Sequence, residues 1–162
     1  MSLGFQRLSP AILTLLFITF SVLMGMSMSF ILLVYTAASV YKTFAIASAM
    51  FGIMAVTGYT TKTDLTKFGS IMMMGVIGLV IAMLVNMFMQ SGTMDYIISV
   101  VGVLIFTGLT AYDVQRLKKI GAGGGEYGQE NVKKLSILGA LTLYLDFINL
   151  FMFLLRFLGD RK

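Results

Sequence analysis

Two acids stand where acids are costly. Asp113 and Asp146 are the acidic residues that fall inside long apolar runs of this 162-residue chain, and a charged side chain at the centre of such a run costs about 2.5–3.5 kcal/mol on insertion scales. Asp146 is twelve residues from Lys134 and ten from Arg156, so a helical rise of ~1.5 Å per residue puts it near mid-span. Asp113 lies three residues before Arg116, near the edge of its run. Thr142, Asp146 and Asn149 recur at i, i+4 and i+7, one stripe of a helix, and Thr107 and Thr110 precede Asp113 by two turns and one. Buried carboxyls of this kind either mark ion or proton paths or act, protonated, as hydrogen-bonding glue between helices. If the two acids meet, their titrations couple and one proton is shared. Proton chemistry would then be open to a chain with no histidine and no cysteine. Depth argues against the meeting: the acids lie roughly 5 Å and 18 Å from their nearest basic residues on one side.

The elements that must hold these acids are membrane helices. The chain is 58% hydrophobic and 12% charged, with mean hydropathy +0.93, whereas soluble domains carry about 25% charged residues. That composition excludes a water-soluble globule, a disordered tail and a nucleic-acid-binding module. A span needs roughly 20 apolar residues, and the chain offers five, at about 10–28, 40–59, 68–89, 96–114 and 135–155. The first apolar run is too long for one straight helix and is divided at an apolar connection through Phe30 and Tyr35. The sequence therefore predicts an all-α integral membrane protein, a single multi-helix transmembrane bundle in contact with the lipid bilayer. Residues 115–134 read as its one hydrophilic linker, with Gly121, Gly123, Gly124 and Gly125 giving flexibility.

Five spans put the two termini on opposite faces. One face collects eight basic residues, Arg7, Lys62, Lys67, Arg116, Lys118, Lys119, Lys133 and Lys134; the other collects Lys42, Arg156, Arg161 and Lys162. The positive-inside bias makes the first face cytoplasmic. A cleavable signal peptide is not expected, because the first apolar run far exceeds a 7–15-residue signal core. Asn86, inside the third span, reads as helix glue or a pore-lining donor. Gly75 with Gly78, and Gly102 with Gly108, read as points of close helix approach. The methionines are soft packing filler. No serine pairs with a lysine or aspartate as a nucleophile would, so an enzyme is not expected and no cofactor is called for.

The run Phe106-Thr107-Gly108-Leu109-Thr110-Ala111-Tyr112-Asp113-Val114-Gln115 resembles a signature of the Bax inhibitor-one family, also called the transmembrane Bax-inhibitor-motif family. So does the segment from Leu138 to Phe151, which carries Thr142, Asp146 and Asn149. Residues 58–65 look like that family's loop between its fourth and fifth helices, and Val85-Asn86 like a feature of its fifth. The resemblance implies a seven-helix fold, of which these five spans would be helices three to seven, so that the chain looks like a fragment lacking the first two. It also implies a function, because bacterial relatives behave as pH-sensitive calcium leaks gated by paired aspartates on the last two helices. Asp113 and Asp146 match that pair. A basic residue on the family's second helix, thought to lock the aspartates, has no counterpart here.

The expectation is thus a pH-sensitive calcium or cation leak in the bacterial inner membrane. Asp146 and Asp113 would serve as proton sensors and calcium ligands, since oxygen donors suit a hard cation. Thr110, Thr142, Asn149 and Asn86 would be supporting polar groups, and Ca2+ or H+ the species moved. The alternative, also implied by the resemblance, is a regulatory membrane protein that binds a membrane-bound quality-control protease.

Overall fold

A computed structural model of the chain describes residues 9–123 and 128–162; Arg7, Gly124 and Gly125, which entered the topology and linker readings, lie outside them. Every described long segment is helical, and the starts and stops follow local chemistry. Ser9 caps α1, Pro10–Met28, accepting from the Ile12 amide, with Pro10 in the first turn, where its missing N–H costs nothing. The connection expected through Phe30 and Tyr35 contains a single helical turn, α2, Ile31–Val34. Thr36 caps α3, Ala37–Thr60. Next comes α4, Thr66–Met89, ending at Gln90, which adopts a left-handed conformation (φ 50°). Ser91 then caps α5, Gly92–Ala122, and the last helix is α6, Gln129–Leu158. Counting α1 with α2, five of these stretches are long and apolar enough to cross a membrane. Their outer surfaces expose residues such as Leu15, Leu23, Ile53, Met74, Phe88 and Leu104, as a bilayer-facing surface requires.

The linker at 115–134 is the reading that fails. α5 runs on to Ala122 and α6 begins at Gln129. Apart from Gln115 and Lys134, which are buried, the described polar residues that looked like a loop are solvated faces of two helices that outlast their apolar cores. Val114, Leu117 and Ile120 keep an i, i+3, i+6 apolar row through the charged stretch, and Leu117 packs on Gly139 across the interface.

The α5–α6 pair makes the largest interface, with α3 and α4 flanking α5, and α1 leaning chiefly on α6. Leu109, Leu150, Leu155, Thr110 and Ser99 are buried there. Phe106 and Phe153 stack at 5.7 Å between ring centroids. Glycines set the spacing where expected at Gly75, against Ile105; Gly102, against Phe153; and Gly108, against Phe68. Gly78 does not, since the space beside it is open. The closest backbone approach was not anticipated. A Cβ on Gly58 of α3 would strike the carbonyl oxygen of Ala111 on α5.

At the end of the bundle opposite the larger basic cluster, the last residues fold back. Tyr35 and Arg161 form an antiparallel bridge. The Thr36 amide donates to Asp160 O (3.1 Å), Lys162 N to Val34 O (2.9 Å) and Asp160 N to Ser39 Oγ (2.9 Å). Asp95, in the first turn of α5, is paired by Arg156 (3.3 Å) and Arg161 (3.7 Å).

Candidate functional site

α5 and α6 run antiparallel with a register that brings the two acids level. Leu117 faces Gly139 and Phe106 faces Phe153; between these contacts Asp113 and Asp146 come within hydrogen-bonding reach of each other. Both are buried, at 4% and 5% exposure. Two carboxyls in contact can hydrogen bond only when one carries a proton. The second oxygen of Asp146, Oδ2, is buried with no hydrogen-bond partner among the described residues.

The depth objection fails because the basic markers are not level. Gly139 packs on Leu117, the neighbour of Arg116, so Lys134, five residues before Gly139, lies about 7.5 Å farther toward the basic end than Arg116 does. Arg116 lies one turn beyond Asp113, about 5 Å along the helix axis, close enough to act on its charge. It lines a small cavity of about 70 Å³ with Asp113, Leu117, Gly139 and Thr142. That volume is enough for a few waters, since one needs roughly 10–15 Å³ of this kind of space. The cavity reaches Asp113 from the end that bears Lys118 and Lys119.

The supporting polar groups divide. Thr110 donates to Phe106 O (2.8 Å), Thr142 to Leu138 O (3.0 Å), Thr107 to Val103 O (2.6 Å) and Asn149 Nδ2 to Leu145 O (2.8 Å). Each side chain therefore returns its hydrogen bond to its own helix and glues no neighbour. Asn149 also lines a cavity of about 420 Å³ between α4, α5 and α6, mostly apolar, with Arg156 at one end. Asn86 does not belong with the acids. It sits at the opposite end of the bundle, where its Oδ1 accepts from the Ser91 amide (3.1 Å) and closes the α4–α5 turn. No group of three or more acidic residues that could hold a metal occurs among the described residues. Two carboxylates alone fall well short of the 6–8 oxygens calcium takes.

Sequence reasoning missed Gln115. Assigned to a solvated linker, it is 5% exposed. Its Nε2 donates to Thr63 O (2.7 Å), and its Oε1 accepts from the Leu65 amide (2.9 Å). Around it, Lys118 donates to Tyr59 O at the end of α3 (2.6 Å) and lies 4.7 Å from the Tyr59 ring centre. Lys119 pairs with Asp64 at 2.7 Å. That hydrogen bond, with those from Thr66, lowers the Asp64 carboxyl to about 2.

Residues 1–162 match the family described as inhibitor of apoptosis-promoting Bax1. The chain belongs to the Bax inhibitor family. It is 49% identical over 157 residues to the inner membrane protein YbhL of Escherichia coli K12, covering 97% of this chain and 67% of that one. An uncharacterized protein of Rickettsia prowazekii is 47% identical over 162 residues, 99% of this chain and 67% of its own. A third relative, from Deinococcus radiodurans, is 43% identical over 161 residues, covering 99% of this chain and 69% of that one. The chain thus spans about two thirds of the length of the curated relatives it matches. This Bax inhibitor family protein is a multi-pass protein of the inner membrane, as its five spanning stretches and its resemblance to YbhL require.

Proposed function

We propose that this protein provides a pH-sensitive leak for calcium or a similar cation across the bacterial inner membrane, with Asp113 and Asp146 as its proton-responsive element. The observation that carries the reading is the contact between two buried carboxyls on adjacent spans. Losing the shared proton puts two negative charges in contact, which either separates the helices or recruits a cation. Cavities on both sides of the pair, one lined by Arg116 and Thr142 and the other by Asn149 and Arg156, supply space along α6. The basic end of the bundle faces the cytoplasm on this reading.

Calcium uptake into proteoliposomes at a series of pH values, compared between the unmodified chain and Asp146→Asn, tests it. The expected result is flux that varies with pH and loses that dependence in the variant. Flux with the same pH response in Asp146→Asn overturns the reading. Absence of flux from both, with capture of a membrane-bound quality-control protease, would replace it with the regulatory role.

A further inference from the structure

We propose that Gln115 is the positioning residue of the acid pair, holding α5 in the rotation that presents Asp113 to Asp146 and so making the α3–α4 loop a control element for the pair. The inference rests on the pair being proton-responsive, not on which ion follows. Gln115 lies two residues from Asp113, about 200° around the helix, so the two side chains leave α5 on opposite sides. One meets α6. The other meets the main chain of the loop between α3 and α4, and uses both ends of its amide: donor to Thr63 O, acceptor from Leu65 N. Leu65 leads into α4 without a side-chain acceptor of its own; Asp64 Oδ1 accepts from the Thr66 amide (3.1 Å) and Gln115 Oε1 from the Leu65 amide, so the two together hold the entry to α4.

A buried amide with both ends committed has one orientation. A rotation of α5 that carried Asp113 away from Asp146 would pull Gln115 off the loop and break both of its hydrogen bonds to the main chain. Gly58 of α3 lies on the Ala111 carbonyl and Gly69 of α4 under the Tyr112 ring, so α5 has no room to move toward either neighbour. The exposed Lys119–Asp64 pair and the Lys118–Tyr59 contact tether the same loop and the end of α3 from outside. Any cytoplasmic event that moves residues 61–65 therefore acts on Gln115 first and on Asp113 through it. The charged groups that act on Asp113 are Arg116 on its own helix and Asp146 across the interface; Asp113 alone acts on Asp146. Gly58 and Gly69, from the flanking helices, carry no charge.

Infrared titration of the full chain in lipid vesicles reads the protonated-carboxyl band directly, with Asp113→Asn and Asp146→Asn assigning it. Gln115→Met keeps the length of the side chain and removes both hydrogen bonds. Gln115→Glu keeps the acceptor for Leu65 N and removes the donor, a second route if the first variant does not fold. With helix content unchanged, the separation between the two proton-release steps should shrink by about one pH unit in Gln115→Met, the scale on which a changed neighbour moves a carboxyl. Gln115→Glu should fall between it and the unmodified chain. A folded Gln115→Met with an unchanged titration overturns the proposal, and so does an unmodified chain whose carboxyl band does not titrate. Calcium flux in the same vesicles separates this test from the leak reading: an altered titration without flux in any variant supports the positioning role and discards the leak.

Discussion

α1 and α5 are both apolar spans, and they have opposite fates. The apolar stretch of α1 is wholly unburied within the bundle, and Leu13 is the buried residue of that helix. α5 contributes eleven buried residues, among them Ser99, Gly102, Gly108, Thr110, Asp113 and Gln115. Hydropathy finds both helices but ranks them wrongly for position. In a bilayer, lipid is as apolar as leucine, so apolar surface has no reason to face inward, and small or polar residues mark the interior. The helix that positions the chemistry is therefore the less greasy of the two.

The largest effect should come from testing that contrast with equal substitutions. Leu150→Ala, at a fully buried site against α5, should cost about 2–5 kcal/mol. Leu15→Ala, on the exposed face of α1, should stay within about 0.5 kcal/mol. Steric unfolding in mixed micelles measures both, and equal losses would dissolve the distinction. Gly58→Val comes next. Its side chain would press on the Ala111 carbonyl, and overpacking of this kind costs about 1–3 kcal/mol; Gly52→Val, with open space beside it, is the matched control in the same helix. Thr110→Val should be smaller still, under about 1 kcal/mol, because the hydroxyl returns to Phe106 O of its own helix and its removal orphans no neighbour.

The smallest effect belongs to the exposed Asp64–Lys119 pair. Asp64 is held at about 2 against an ordinary 3.8, first by its hydrogen bond from Lys119. A lowered carboxyl stabilises the fold above its unfolded value, and that contribution disappears as pH falls from 3.8 toward about 2. Lys119→Gln should flatten the acid limb of a melting curve in this window at low salt and change nothing at neutral pH in high salt. A pH-dependent difference that survives high salt would contradict the exposed geometry.

Much of this arrangement is written in the sequence, and what is not has a physical reason. Asp113 and Asp146 stand out because each interrupts an apolar run, a signal that needs no partner to be visible. Their contact does not, because depth counted from Arg116 and Lys134 assumes that both mark the same plane, whereas Lys134 lies beyond the Leu117–Gly139 contact, farther out than Arg116. Gln115 escaped for a different reason. Its partners are the main-chain groups of Thr63 and Leu65, which every residue possesses, so no residue type in the loop announces them. The apolar row Val114, Leu117 and Ile120 was the available sign that the helix continued past the charges. Asn86 shows the converse error: a polar residue inside a span can serve its own helix end rather than the centre of the bundle.

The pairing of Tyr35 with Arg161 sews residues 34–39 to residues 160–162, and in mechanical terms it closes α2 to α6 into a ring. A pull on the last residues loads these hydrogen bonds together with the Asp95–Arg161 pair before any force reaches the α5–α6 interface. Extraction from that end must first break the seam, then drag α6 past Phe106 and the acid pair. A pull from α1 peels that helix first and meets the same seam only when it reaches Val34 and Tyr35.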